Sequence, residues 1–191
     1  MTFPKMNSNK VFPNSAKLHQ PNSSNVKLMT SLPGHLISNL KPPCFPLQPF
    51  DFKNNQVEFE EFPILGPYEY SEGYFYYGQY KLGQKHGKGV QIWSDGTYYQ
   101  GHYFEDSPSG NGRIVHANGE VYDGQWEGEC ANGKGSFYHS SGAVYVGDWK
   151  NNRQHGHGTE QWPDGVRYEG NYIDGDKNGY GEFHWETKDF Y

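Results

Sequence analysis

The stretch KHGKGVQIWSDG, at 85–96, sets a lysine and a histidine among glycines. Two glycines beside a lysine can cradle a phosphate. A Walker-type loop needs GxxxxGK[ST] between a strand and a helix, and a dinucleotide fingerprint needs GxGxxG opening a helix; neither spacing occurs. The residue between the paired glycines also changes along the chain, from Lys88 to Asn111, Lys134, His157 and Tyr180. A phosphate contact would not vary in this way, whereas glycines suit a tight loop or a close backbone approach. Nine histidines invite a metal. Zinc needs four ligands about 2 Å from one centre. His116 and His139 are expected two strands apart, about 9.5 Å. Cys44 and Cys130 lie in dissimilar settings, more in keeping with free thiols than with a disulfide framework. No base-and-orienter arrangement surrounds them or the scattered serines. Asp95, Asp123, Asp148 and Asp164 fall at turn or exposed positions. The residues therefore predict no catalytic site, no metal and no cofactor.

The elements that place these residues are repetitive. From Gly66 onward the chain has a 23-residue period. Tyr-x-Gly-x-aromatic occurs as YYGQY (76–80), YQGHY (99–103), YDGQW (122–126), YVGDW (145–149) and YEGNY (168–172), carrying Gly78, Gly101, Gly124, Gly147 and Gly170. Gly-x-Gly recurs in phase as Gly87 and Gly89, Gly110 and Gly112, Gly133 and Gly135, Gly156 and Gly158, and Gly179 and Gly181. All of these are expected to be structural. A turn pair recurs at Asp95-Gly96, Asn118-Gly119, Ser141-Gly142 and Asp164-Gly165. Asp-Gly and Asn-Gly between β-prone residues are strong hairpin signals. Each period reads as one β-hairpin, stacked into an elongated, single-layer, all-β antiparallel meander. Residues 66–75 form a leading half-repeat, 76–190 five full units, and Tyr191 starts a sixth.

Two-residue Asp-Gly turns would set Ile92 opposite Tyr99, His116 opposite Val121, His139 opposite Val144 and Trp162 opposite Arg167, the last a cation–π pair. That register puts the Tyr-Gly-aromatic columns on one face and Trp93, His116, His139, Trp162 and Trp185 on the other. A turn of different length would reverse the assignment. An aromatic from the neighbouring strand is expected to lie across Gly78. Residues 1–65 have another grammar. They hold nine of the twelve prolines, and residues 1–50 carry five lysines and no acid. They read as a flexible or extended tail with two apolar islands, 31–40 and 44–52.

The repeat resembles the MORN repeat, whose idealised form is roughly YEGEWKNGKRHGKGTYTYPDGSVYEG. The likeness covers 66–191 and departs from the pattern at "FEDSPSGNG" (104–112), at Cys130 and at Lys188. It implies a non-catalytic scaffold for protein–protein interaction, similar to MORN-only proteins of cilia (radial-spoke-like assemblies) and the cytoskeleton, in the cytoplasm. The expected partner is a helix or extended peptide laid on the aromatic column Tyr80, Tyr103, Trp126, Trp149 and Tyr172, with self-association at the C-terminal edge. The alternative is a phosphoinositide-facing membrane tether through Lys81, Lys85 and Lys88, or the regulatory array of a lipid-kinase-type enzyme, for whose catalytic domain 191 residues leave no room. Charge weighs against both lipid and nucleic acid: residues 76–191 hold ten Lys or Arg against sixteen Asp or Glu. No run of about 18 apolar residues is present, and the N-terminus lacks the apolar run of a secretory signal.

Overall fold

A computed structural model describes residues 32–52, 62–70 and 73–185. Eleven strands form one antiparallel sheet in sequence order: β1 (Ile64–Tyr70), β2 (Tyr74–Lys81), β3 (Gln84–Ile92), β4 (Tyr98–Phe104), β5 (Ser107–Val115), β6 (Val121–Glu127), β7 (Cys130–Tyr138), β8 (Val144–Lys150), β9 (Arg153–Gln161), β10 (Arg167–Ile173) and β11 (Asp176–His184). A short helix, α1 (Gly34–Ile37), precedes them. The array thus begins two residues before Gly66. The expectations for 1–31, 53–61 and Tyr191 lie outside the described residues.

The turn lengths are the reverse of those expected. The Asp-Gly end closes on three residues, not two. The Gly96 N–H donates to the Trp93 carbonyl at 3.0 Å, and the Trp93 N–H to the Thr97 carbonyl at 2.9 Å. Gly96 has φ +84°, which makes this a type I turn closed by a left-handed glycine. The opposite end, expected to be longer, closes on two residues. Lys81 pairs with Gln84 across Leu82 and Gly83, at φ +49° and +84°, as a type I′ turn requires. An odd loop shifts the register by one. Ile92 therefore pairs with Tyr98, and Gln91 with Tyr99. Trp93 moves onto the face of Tyr99, and Trp162 with it, both packed in one aromatic cluster. The expected Trp162–Arg167 pair does not form. Trp162 instead receives Lys177 Nζ at 5.0 Å from its ring centroid.

Glycines decide how that face packs. Tyr76 folds back across Gly78 of its own strand and Gly89 of the next, so the covering ring comes from the same strand and not, as expected, from its neighbour. A Cβ on Gly78 would sit 2.6 Å from the Gly89 Cα, and one on Gly89 would sit 2.4 Å from Tyr76 Oη. Tyr99 lies in the same way over Gly101 and Gly112, and Tyr122 over Gly124 and Gly135. Tyr145 covers Gly147 and Gly158, and Tyr168 covers Gly170 and Gly181. The fit is as close at the far end as at the near one. A Cβ on Gly158 would sit 2.4 Å from Tyr145 Oη, and one on Gly181 would sit 2.2 Å from Tyr168 Oη. Each hydroxyl donates to the carbonyl three residues on, at 3.1 Å for Tyr76 to Gln79 and 2.8 Å for Tyr122 to Gln125.

On these rings stands the second column. Tyr76 meets Tyr80 and Tyr103 edge-on at 5.1 and 5.2 Å, Tyr99 meets Tyr103 and Trp126 at 5.2 and 5.4 Å, and Tyr122 meets Trp126 and Trp149 at 5.2 and 5.0 Å. Tyr145 continues to Trp149 and Tyr172 at 5.3 and 5.1 Å, and Tyr168 closes on Tyr172 at 5.6 Å. Each such pair adds about 0.5–1.5 kcal/mol beyond area burial. The register shifts in every two-residue hairpin between the Gly and the aromatic, as from Gly78 to Tyr80 and from Gly124 to Trp126, and not across the Asp-Gly turns. From β2 onward the bulges recur at one end of alternate strand pairs, and bulges so placed bend a sheet toward one face. This is how a face with no second layer among the described residues buries its rings.

Over the first units the outer face is closed by the chain itself. Leu32 and Leu36 lie buried against Tyr77, Val90, Ile92, Tyr98, Val115 and Val121, with Leu40, Leu47 and Phe52 beside them. Residues 32–52 form a strap over the first units. The steric account of the ladder gives a direct test. Gly112→Ala would place its Cβ 2.1 Å from Tyr99 Oη, and the fully buried ring has no room to yield. The substitution is expected to lower stability by about 1–3 kcal/mol in chemical denaturation.

Candidate functional site

The aromatic column assigned to a partner is occupied by the ladder. Tyr103, Trp126, Trp149 and Tyr172 are 0, 6, 6 and 2 % exposed, and Tyr80 is half-buried. The indole N–H of Trp126 donates to the Gly112 carbonyl at 2.9 Å, and that of Trp149 to the Gly135 carbonyl at 3.1 Å. These side chains are the core, so a partner would find no column of rings to dock on.

The HGKG stretch lies inside β3 and makes no loop. Gly87 takes φ +64° at the bulge. Gln79 fills that bulge: its Oε1 accepts the Lys88 N–H at 2.7 Å. Gln125 accepts the Lys134 N–H at 2.7 Å, and Asp148 the His157 N–H at 3.0 Å, in the same way. His102 and Asn171 instead reach the carbonyls of Asn111 and Tyr180. The backbone between each glycine pair is what the neighbouring strand binds, which explains why its side chain varies. The polar residue that fills the bulge was missed in the sequence. Its signal was there: Gln79, His102, Gln125, Asp148 and Asn171 are all polar, each just before the second aromatic.

The three lysines of the lipid alternative do not share a surface. Lys81 is exposed beside the Phe62 ring, at 5.5 Å, and Lys88 is half-buried on the outer face. Lys85 points the other way and is 4 % exposed. Its ammonium lies 5.2, 5.0 and 5.7 Å from the ring centroids of Tyr70, Tyr76 and Tyr103 and donates to Gln91 Oε1. Lys177 closes the other end of the ladder, over Tyr168 and Tyr172 and paired with buried Glu160. Between them the same position holds Pro108, Ala131 and Gln154. Lysine stands opposite Tyr80 and Tyr172, proline opposite Tyr103, alanine opposite Trp126 and glutamine opposite Trp149.

The carboxylates serve turns and ion pairs. Asp95 and Asp164 accept N–H groups two residues on, from Thr97 and Val166, at 2.9 and 3.1 Å. Asp123 binds Arg113 at 2.6 Å, and Asp148 binds Lys134 at 2.6 Å. Among the described residues no three His, Cys, Asp or Glu come together in a way that could hold a metal. Burial holds the His102 imidazole below its usual range.

What remains open is part of the outer face. In units 1 and 2 the strap lies on Tyr77, Val90, Ile92, Tyr98 and Val115. In units 4 and 5 the matching positions hold Val146, Thr159, Gln161, Arg167 and His184. This fall in apolarity along the array marks where the strap ends. Val146 is 53 % exposed beside Lys134, Ser136, His157 and Thr159 in a shallow depression. At the last strand Tyr180 and Phe183 are exposed, as is Trp185 beyond it.

Lys85 gives this architecture a pH signature. Burial pulls its ammonium down to about 8, with Asp106 opposing the shift. The unfolded lysine titrates near 10.4. Between about pH 8 and 10 the unfolded chain therefore binds more protons at this site, and stability rises with pH. Above about 10 the buried tyrosines Tyr76, Tyr99 and Tyr103, held well above their usual range by burial, reverse the trend as they ionise in the unfolded chain. Denaturation midpoints measured from pH 7 to 10 are expected to climb for the native chain. For Lys85→Met they are expected to lack that climb.

The MORN repeat family matches the chain at residues 76–98, 99–121, 145–167 and 168–190. The skipped unit, 122–144, forms the same hairpin as its neighbours, joining β6 to β7 with the same bulge. No curated protein matches the chain. Among solved structures, the TCP domain of SAS-4 (dCPAP) of Drosophila melanogaster, in complex with a proline-rich motif of Ana2 (dSTIL), is similar at 14 % identity and a TM-score of 0.37. The match covers 61 % of this chain and 69 % of that one, a likeness too distant to carry an argument. Four family matches in phase, on a sheet in which five successive hairpins repeat the same tyrosine-over-glycine packing, make the chain a MORN repeat protein.

Proposed function

We propose that the chain is a non-catalytic scaffold, a protein-interaction module of a ciliary (radial-spoke-like) or cytoskeletal assembly in the cytoplasm. The observation that carries the docking side of this reading is the division of the outer face. One half is sealed by residues 32–52, while the other presents Val146 among polar side chains at the regular pitch of the repeat. The ladder consumes the aromatics that would otherwise dock a partner, so it acts as a spine. A partner reads the outer face and the strand end, where Tyr180, Phe183 and Trp185 also offer a second copy a contact. The location follows from the resemblance to MORN-only proteins. The inward turn of Lys85 weighs against the phosphoinositide reading.

The test pairs capture from a detergent-extracted cytoskeletal or axonemal fraction with flotation on anionic liposomes. The native chain is expected to retain a protein from the fraction and to stay off the liposomes. Val146→Glu is expected to lose that protein at least tenfold while its circular dichroism and unfolding midpoint stay those of the native chain. Retention unchanged by Val146→Glu would move the docking site elsewhere, and flotation with liposomes would replace the scaffold reading by a membrane one.

A further inference from the structure

The strap binds two successive turns through its backbone alone. The Lys41 N–H donates to the Gly96 carbonyl at 3.2 Å, and the Cys44 N–H to the Gly119 carbonyl at 2.8 Å. The donors are three residues apart; the acceptors are one unit apart. Two strands of a sheet advance about 9.5 Å, and three residues of polyproline II advance about 9.3 Å. Pro42 and Pro43 stand between the donors. They favour that conformation and bring no N–H that would go unpaired. After Cys44 the strap leaves the row of turns. The Gln48 carbonyl accepts from Arg113 at 2.7 Å, and Phe52 returns to His102.

The acceptors continue where the strap does not. Gly142 and Gly165 both take φ +88°, against +84° and +86° for Gly96 and Gly119. Their turns close through the same N–H to carbonyl bonds, from Gly142 to His139 at 2.8 Å and from Gly165 to Trp162 at 3.0 Å. Gly96 and Gly119 are buried beneath the strap, whereas Gly142 is exposed and Gly165 half-exposed. Among the described residues no backbone N–H reaches either of these two carbonyls. In the strap, Phe45 follows the second donor and packs on Tyr138 at 4.9 Å. Two units further along, the matching position is exposed His184.

We propose that the turns at Gly142 and Gly165 are a docking site for an extended proline-rich peptide of a partner chain. The peptide takes the form x-Pro-Pro-x followed by an aromatic, and lies in line with the strap. Its two flanking N–H groups bind the two carbonyls, and its aromatic meets His184. The assignment rests on the outer-face reading above and adds the chemistry of the partner.

The probe is a synthetic peptide, NLKPPSFPLQPF, the strap's residues 39–50 with Cys44→Ser, titrated into the ¹⁵N-labelled full chain. The expected result is movement of the amide signals of Gly142, Ala143, Gly165 and Val166. The same peptide N-methylated at its lysine and serine lacks both donors. It is expected to bind about thirtyfold more weakly, the fold-change that two lost hydrogen bonds of about 1 kcal/mol each imply. Four results overturn the proposal: no movement at millimolar peptide, movement only at Gly96 and Gly119, equal binding of the N-methylated peptide, or movement at Gly142 and Gly165 on concentrating the chain alone. The last would assign the site to a second copy's strap. Partner capture that still fails on Val146→Glu while the peptide does not bind would leave the scaffold reading standing and remove this one alone.

Discussion

Everything in this sheet depends on one contact: a tyrosine ring lying on a pair of glycines. A side chain at either glycine would lift the ring, and the ring's hydroxyl would lose the carbonyl three residues on. With the ring flat, the next aromatic can stand on it edge-first, and that aromatic also reaches the tyrosine of the preceding unit. The contact is therefore both local and propagating. It ties each hairpin to itself and to one neighbour, as a repeat array requires when a lone hairpin cannot hold its own fold.

The same contact sets which surface the ladder leaves open. A one-layer sheet would ordinarily show one apolar face to water or to a partner. Here the bulges curl the sheet until the ladder buries itself, and charged groups close its two ends: Lys85 against Gln91, and Lys177 against Glu160. On the outer face the repeat fixes only pitch and turn geometry. Side chains there are free to differ from unit to unit. They do differ: Val90, Ile92, Tyr98 and Val115 lie under the strap, and Thr159, Gln161, Arg167 and His184 hold the matching positions beyond it.

The period, the hairpins and the family were legible in the sequence because glycine and tyrosine recur without an insertion. The close packing of the repeat glycines was legible for the same reason, through to Gly158 and Gly181 in the last two units; which ring covers them was not, since one tyrosine lies over a glycine of its own strand and over its partner on the next. The face assignment was hidden too. It turned on the loop between Trp93 and Thr97, where a third residue reverses the parity of every strand that follows, and Asp-Gly marks a turn without stating its length. The burial of Trp126 and Trp149 was equally hidden. Alternation shows which residues share a face, but whether that face is covered depends on bulges, and the bulge shows only in the polar residue at Gln79 and its counterparts. Lys85 read as part of a basic loop because the loop was placed there. Once KHGKG becomes strand, alternation alone sends Lys85 inward.

The most direct test of the ladder as the core is exchange of the indole N–H protons of Trp126 and Trp149. Both donate to glycine carbonyls of the preceding unit. If the ladder holds the sheet together, both protons exchange only as fast as the whole array unfolds, and they slow in step with any gain in global stability. If they exchange at the rate of free indole while the backbone amides stay protected, the rings are open to solvent, and the aromatic face returns as the surface a partner would use.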